Sequence, residues 1–98
     1  MSEFNDMIND KKPTLVDFFA TWCGPCKMQG PILEQVKNSI GDAANVIKID
    51  VDRNPELSER YRIQSVPTLI LFKGGEAVWR ASGLHQAEQL LEKIREHV

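Results

Sequence analysis

The strongest constraint on the fold is a pair of cysteines that directly follows a run of apolar residues. Cys23 and Cys26 are the chain's two cysteines, and only Gly24 and Pro25 separate them. A disulfide across so short a loop contributes only about 2 kcal/mol in the chain-entropy model, which makes it a poor structural staple. In a reducing compartment, closely spaced cysteines more often carry out redox or metal chemistry. We therefore expect the fold to hold both sulfurs where they can react.

The composition predicts one soluble domain over residues 1–98, with 42% hydrophobic residues and a formal net charge of −2. Charges this nearly balanced, with no basic cluster beyond Lys11 and Lys12, give no electrostatic reason to bind nucleic acid or an anionic membrane. The longest purely apolar run, Leu69 to Phe72, is far shorter than the roughly 20 residues that cross a bilayer. The first twelve residues carry charges where a secretory signal needs an apolar stretch, so we expect a cytoplasmic protein.

Hydrophobic periodicity predicts helices and strands in the order α-β-α-β-α-β-β-α. The central strand-helix-strand succession implies a parallel crossover, and the glycine pair at 74–75 predicts an antiparallel hairpin. The expected fold class is α/β, a mixed four-stranded sheet with helices on both faces. The predicted helices are 2–10 (capped by Ser2), from the cysteine pair to 40, 55–62 (capped by Asn54) and 84–98, and the predicted strands are 14–20, 46–51, 68–73 and 76–82.

The same patterns assign single side chains to the core or to the surface. Pro31 lies inside the second helix and should kink it rather than end it, because the apolar stripe resumes beyond. The predicted core face of that helix consists of Met28, Ile32, Leu33, Val36 and Ile40, and Met7 is also assigned to the core. His85 and His97 are too far apart for the usual spacing of two zinc ligands, and we expect both on the surface.

Two charged residues interrupt the predicted buried strands. Asp17 has apolar neighbours on both sides in the first strand, and Lys48 lies in the next strand, which should run parallel beside it. The two side chains should approach each other beneath the cysteines, where burial raises the pKa of the carboxyl and the ammonium lowers it. The alternative is that Asp17 faces solvent at the end of its strand.

The residues around the cysteines resemble the thioredoxin family. The resemblance covers about the whole chain and implies a thioredoxin-like three-layer α/β/α fold with four helices. We expect the N-terminal edge strand of that family to be missing, so strand 46–51 should form an edge of the sheet. The matching residues are VDFFATWCGPCKM at 16–28, Pro31, Lys48, SVPT at 65–68, FKGGE at 72–76 and Gly83.

Several positions depart from the family pattern. Phe19 stands where many thioredoxins carry a second tryptophan, and Trp79 is an unexpected one. Gln29 and Gly30 replace an apolar residue followed by a small one. Ser65 replaces a small apolar residue or glycine before the proline loop. None of these positions is a thiol.

The resemblance implies a thiol-disulfide oxidoreductase that reduces disulfides in target proteins by dithiol-disulfide exchange. Cys23 would be the attacking nucleophile and Cys26 the resolving cysteine, with no cofactor beyond their own redox-active disulfide. Asp17 would accept the proton of the resolving thiol, and Lys48 would modulate Asp17. The implied partners are a flavin-dependent thioredoxin reductase and disulfide-containing proteins, and we expect a monomer.

The resemblance also implies a substrate-binding surface around the cysteines. By itself the sequence favours a trans Val66–Pro67 bond, because only about 5–6% of such bonds are cis in folded proteins, whereas the resemblance implies a cis bond. Val66 would then offer backbone hydrogen bonds to an extended substrate segment. The apolar rim of the surface would consist of Trp22, Gly24, Pro25 and Gly83. Ordinary packing would equally explain the tryptophan.

Helix geometry supports redox chemistry independently of the resemblance. A thiolate at Cys23 would face the unpaired N–H groups at the start of the second helix, which should lower the pKa of the thiol. Two alternatives stay open. The chain could be a non-catalytic interaction subunit with a thioredoxin fold, or the cysteine pair could supply half the ligands of a zinc site, which would require a dimer.

Overall fold

Helices and strands alternate in the predicted order in the computed structural model, which describes residues 2–98 and the side chains from residue 3 onward. The predicted Ser2 cap lies outside the described side chains. Within the described residues the α-helices are α1 (Ser2–Ile8), α2 (Gly24–Ile40), α3 (Pro55–Arg60) and α4 (Ala87–Arg95). The strands are β1 (Thr14–Phe19), β2 (Asn45–Asp50), β3 (Thr68–Lys73) and β4 (Glu76–Ser82).

The sheet is mixed and has the strand order β2-β1-β3-β4. β1 pairs in parallel with β2 and antiparallel with β3, and β4 completes an antiparallel hairpin with β3. Because β1 is paired on both sides and covered on both faces, it accommodates a nearly continuous apolar run. Within the described residues β2 forms an edge of the sheet, as predicted.

Side chains along β1 and β3 alternate between two hydrophobic layers. Leu15 and Leu69 face the layer under α2 and α4, whereas Val16 and Ile70 face the layer under α1 and α3. The first layer consists of Leu15, Leu33, Val36, Ala44, Leu69, Leu71, Leu90, Leu91 and Ile94. The second consists of Phe4, Ile8, Val16, Phe18, Leu57, Ile70 and Phe72. Helices therefore cover both faces of the sheet, which confirms the predicted three-layer α/β/α fold.

The buried face of α2 differs from the predicted one. Met28 is 60% exposed, so its assignment to the core is wrong. The buried residues of the helix are Cys26, Gln29, Leu33 and Val36. They repeat every three or four residues, as one helix face does, and Met28 is not part of that series. The buried face could not be read from the sequence, because hydrophobic periodicity uses apolar residues alone and Gln29, which is polar, belongs to that face.

The closing helix is shorter than predicted at both ends. The side-chain oxygen of Gln89 accepts the backbone N–H of Gln86 at 2.9 Å and so caps the start of α4. Leu84 therefore precedes the helix. Val98 follows it and is exposed rather than part of its apolar face.

Four single residues were also assigned a role from the sequence. The Asn54 side chain does not cap α3 but donates to the backbone carbonyl of Asp50 at 3.0 Å. α2 continues through Pro31. Met7 is half-buried rather than in the core. His97 is also half-buried, since its ring nitrogen lies 3.0 Å from a carbonyl one turn earlier in the chain.

A glycine pair turns the hairpin between β3 and β4, as predicted. The φ angles are 59° at Gly74 and 85° at Gly75, and such positive values favour glycine. The N–H groups of the pair also donate to the carbonyls of Asp10 and Ile8, at 3.2 and 2.8 Å. These two hydrogen bonds hold the turn of the hairpin against the C-terminal end of α1.

Truncation of Leu33 should destabilise the protein more than truncation of the exposed Met28, because Leu33 lies on the buried face of α2. Leu33→Ala removes a buried side chain, and we expect the free energy of unfolding to fall by about 2–5 kcal/mol. Met28→Ala, in the same helix but exposed, should change it by no more than about 0.5 kcal/mol. Denaturant unfolding of the oxidised proteins measures both values. A larger loss from Met28→Ala than from Leu33→Ala would contradict this helix phase.

Candidate active site

The site forms where the central strand β1 leads into α2. Cys23 is the N-cap of α2, with φ −91° and ψ 117°, and its sulfur accepts a hydrogen bond from the N–H of Cys26 at 3.2 Å. Pro25 occupies the first turn, where the absence of an N–H removes no helix hydrogen bond. The start of α2 thus directs backbone N–H groups and the positive end of the helix dipole toward the Cys23 sulfur, as predicted.

Cys23 and Cys26 are joined by a disulfide, with their Cα atoms 5.2 Å apart. Both residues are buried and form a small cluster with Ala20, against which Phe19, Val51 and Val66 also pack. Reduction of the bond leaves one thiol at the helix N-cap, where the anionic form is favoured, and a second thiol one turn inside the helix. The two sulfurs therefore have different surroundings although only two residues separate them.

Two loops flank the disulfide and are bonded to each other. The Val66–Pro67 peptide bond is cis, the conformation that the resemblance implied. The Val66 carbonyl oxygen lies 3.5 Å from the Cys23 sulfur, and the Pro67 carbonyl accepts the N–H of Gly83 at 2.8 Å. Gly83 has a φ of 89°, a conformation that favours glycine. Three of the residues that the resemblance assigned to substrate binding thus lie together beside the cysteines.

Trp22 is 70% exposed at the rim of the site, so ordinary core packing does not account for it. Its indole N–H donates to a carboxylate oxygen of Asp52 at 2.9 Å, which holds the ring in place. Gly24 and Pro25 are exposed beside it. A cavity of about 140 Å³ opens between this ring and the proline loop, lined by Trp22, Val51, Ile63, Gln64, Ser65 and Val66. The sequence gives no local signal for the contact with Asp52, because Asp52 is 30 residues away from Trp22 in the chain.

Asp17 is completely buried in β1, which rules out the alternative that it faces solvent. Neither of its carboxylate oxygens has a hydrogen-bond partner among the described residues. Burial raises the pKa of Asp17 to about 6, and the charge of Lys48 opposes part of that rise. The carboxyl lies on the α2 side of the sheet, because Leu15, two residues earlier in the strand, packs there.

Lys48 is the residue opposite Asp17 in the pairing of β2 with β1, so both side chains leave the sheet on the same face. Its ammonium nitrogen lies 4.6 Å from the centre of the Phe19 ring, within cation–π range. The same nitrogen is 3.7 Å from the point where a side chain on Gly30 would begin. Two departures from the family pattern therefore surround this lysine. A cavity of about 200 Å³ joins it to Cys26, lined by Phe19, Ala20, Thr21, Cys26, Lys27 and Lys48.

Gln29 is a fully buried polar residue for which the sequence indicated no contact. Its amide N–H donates to the backbone carbonyl of His85 at 2.9 Å, and its oxygen accepts the backbone N–H of His85 at 2.9 Å. The His85 ring packs edge-on against Trp79, with ring centroids 5.7 Å apart. His85 is therefore half-buried rather than freely exposed, and contacts hold both its backbone and its ring. The departures from the family pattern at Gln29 and Trp79 were the available signal.

A family model described as Thioredoxin matches residues 1–96 of the chain. The chain belongs to the thioredoxin family. The thioredoxin of Staphylococcus saprophyticus is 45% identical over 97 residues, which cover 99% of this chain and 92% of that protein. A bifunctional thioredoxin reductase/thioredoxin of Mycobacterium leprae is 44% identical over 97 residues, which are 21% of that longer protein. A mutant thioredoxin from Halobacterium salinarum is 39% identical with a TM-score of 0.88, over 99% of this chain and 84% of that one.

As a thioredoxin-family member with a Cys23–Cys26 disulfide, the protein is a thiol-disulfide oxidoreductase that works by dithiol-disulfide exchange. Thioredoxins act without a prosthetic group. Within the described residues no three His, Cys, Asp or Glu side chains are grouped to hold a metal ion. No helix between residues 2 and 98 has the length and apolar character needed to cross a membrane.

Replacement of Asp17 should stabilise the fold at neutral pH. Its pKa is about 6 in the folded protein against an ordinary value of 3.8, so stability falls as the pH rises between those values. Asp17→Asn keeps the size and removes the charge, and should raise the free energy of unfolding by up to about 3 kcal/mol at pH 7. The gain should disappear near pH 4, where both side chains are neutral. Denaturant unfolding of the oxidised proteins at both pH values measures it, and equal stabilities at pH 7 would contradict the assignment.

Proposed function

We propose that the protein reduces disulfide bonds in other proteins, with Cys23 as the attacking thiol and Cys26 as the resolving thiol. The position of Cys23 carries this proposal. It caps α2 and borders the Val66 carbonyl, whereas Cys26 lies one turn inside the helix. The two cysteines are about equally buried, at 5% and 4% exposure, so the role of Cys23 as the attacking thiol rests on its place at the helix N-terminus beside the exposed Trp22.

The exchange takes place in two steps. The Cys23 thiolate attacks one sulfur of the substrate disulfide, forms a mixed disulfide, and releases the other substrate sulfur as a thiolate that takes up a proton. Cys26, after losing its proton, attacks the Cys23 sulfur and displaces the remaining substrate thiolate. The substrate gains two electrons and two protons, and the protein ends with its internal disulfide. The second step is intramolecular, and well-oriented reactions of this kind reach effective molarities of about 10⁵ M or more.

Asp17 is the proton acceptor for Cys26 in this scheme. With a pKa of about 6 it is ionised at pH 7, and its buried carboxylate binds a proton more readily than an ordinary aspartate does. The absence of hydrogen-bond partners among the described residues leaves both oxygens free to accept the proton. Lys48 modulates the charge of the carboxyl and shares a cavity with Cys26.

The substrate binds as an extended segment in the groove between Trp22 and the proline loop. The Val66 backbone supplies hydrogen-bonding groups, as in the addition of a strand to a sheet edge. Pro67 places a residue without an N–H beside the sulfurs. Gly24, Pro25 and Gly83 complete the rim with little side-chain bulk. The cavity of about 140 Å³ beside Trp22 accommodates one apolar side chain of the substrate.

The reductant that recharges the protein is a flavin-dependent thioredoxin reductase. The Mycobacterium leprae relative, named as a bifunctional thioredoxin reductase/thioredoxin, supports this partner because its name combines the two activities. The protein is then a monomeric electron carrier between the reductase and protein disulfides. A cytoplasmic location suits this activity, because that compartment keeps thiols reduced.

The two cysteines should behave differently when each is replaced. Cys26→Ser should accumulate a mixed disulfide with an oxidised substrate such as insulin, because nothing resolves the bond on Cys23. Cys23→Ser should trap none, because the attacking thiol is missing. Non-reducing electrophoresis with mass spectrometry of the adduct measures both, with the double serine variant as the control. Equal trapping by the two single variants would overturn the assigned roles.

The loss of the proton acceptor should slow reduction at neutral pH. Asp17→Asn keeps the shape of the side chain but cannot accept the Cys26 proton, and general-base catalysis is worth about 100-fold or more. We expect insulin reduction to be at least 10-fold slower than in the wild type at pH 7, a difference that narrows toward pH 9 as the thiol ionises unaided. Rates from pH 6 to 9, with thermal melting as the folding control, measure this. Parallel profiles for the two proteins would rule out Asp17 as the acceptor.

A further inference from the structure

Gln29 connects the helix that carries the cysteines to the loop that borders the substrate groove. We propose that Gln29 is a positioning residue, which sets the width of the groove by holding the segment 83–85 against α2. The inference rests on the proposed binding of an extended substrate segment beside Val66. It goes further by assigning substrate affinity to a buried residue outside the groove itself.

Gln29 is a rigid anchor on α2. Gln29 and Cys26 lie one turn apart on the buried face of α2, so the helix fixes their separation. The Gln29 side chain is completely buried, and both ends of its amide are bonded to the backbone of His85, each at 2.9 Å. A buried amide with both ends paired holds a neighbouring chain in one register, much as a strand partner would.

The segment that Gln29 holds has no regular structure of its own. Residues 83–86 connect β4 to α4 and belong to no helix or strand. The Nδ1 atom of His85 lies 2.8 Å from the Gly83 carbonyl oxygen, and the His85 ring packs against Trp79. Together with the bonds to Gln29, these contacts determine where Gly83 lies.

Contacts of the segment 83–85 with the proline loop complete a ring around the disulfide. The N–H of Gly83 donates to the Pro67 carbonyl at 2.8 Å, and the preceding Val66 carbonyl lies 3.5 Å from the Cys23 sulfur. The ring runs from Cys23 along α2 to Gln29, through segment 83–85 to Pro67, and back to Cys23. Loss of the Gln29 link opens this ring on the side away from the sulfurs. The proline loop can then shift while the cysteines stay in place on their helix.

Loss of the hydrogen bonds between Gln29 and His85 should affect large and small substrates differently. A peptide that lies along Val66 and Gly83 depends on the spacing of the two loops, whereas a small disulfide needs only the Cys23 sulfur. Gln29→Leu removes both hydrogen bonds at nearly constant volume. We expect it to raise the KM for a synthetic peptide with an internal disulfide roughly 5- to 10-fold, with kcat and the rate with hydroxyethyl disulfide within about 2-fold of wild type.

The matched control is Gln35→Leu, the same change at an exposed position of α2, which should leave both substrates unaffected. Equal losses on the peptide and on hydroxyethyl disulfide would overturn the proposal, because they would place the effect on the thiols. An unchanged KM would overturn it as well. If the wild type itself reduced the peptide no more efficiently than hydroxyethyl disulfide, the proposed groove would fail instead.

A second variant and a measurement on the wild type keep the test decisive if Gln29→Leu does not fold. Gln29→Met fills the same space with a more flexible apolar chain and should give the same KM increase. In the wild type, the His85 amide should exchange with solvent at least about 100-fold more slowly than in an unstructured peptide, because Gln29 holds it. Exchange at the unprotected rate would show that the link does not hold the segment.

Discussion

The pairing of β1 on both of its sides places every part of the active site. Its parallel register with β2 sets Lys48 opposite Asp17, and its antiparallel register with β3 sets Phe18 opposite Thr68, the residue after the cis proline. The proline loop therefore meets the end of β1, where the chain turns into α2 and Cys23 begins the helix. A slip of one residue in the pairing with β2 would turn Lys48 to the opposite face of the sheet, away from Asp17.

Burial of the Asp17 carboxylate lowers the stability of the fold but also raises the pKa of the group. A charge without hydrogen-bond partners in the interior destabilises the folded state, and proteins of this size have only about 5–15 kcal/mol of stability in total. The same isolation gives the carboxyl a pKa near neutrality, where it can both lose and gain a proton. Lys48 lies close enough to temper that pKa yet exposed enough to stay solvated. A solvated aspartate, with its ordinary pKa of 3.8, would hold a proton more weakly at neutral pH.

The sequence predicted the parts of the structure that apolar patterns and local motifs encode. Strands 68–73 and 76–82 were predicted with their observed bounds, since their apolar residues flank a glycine turn. The resemblance implied the cis bond, which the general preference for trans bonds would have missed. The contacts of Gln29 and Asp52 were not predicted, because each is a polar bond between residues 30 or more apart in the chain. Hydrophobic periodicity has no means of placing a polar side chain in the core, so the phase of α2 was misread at Met28.

The edge position of β2 has a consequence beyond catalysis. In the described chain one side of this strand presents backbone N–H and C=O groups without a neighbouring strand, and such edges recruit strands from other molecules into aggregates. Natural proteins guard exposed edges with lysine, and Lys48 stands in the middle of this one. The lysine that lowers the pKa of Asp17 therefore also stands where a charge opposes edge-to-edge pairing of this strand. Neutralising it would disturb two unrelated properties at once.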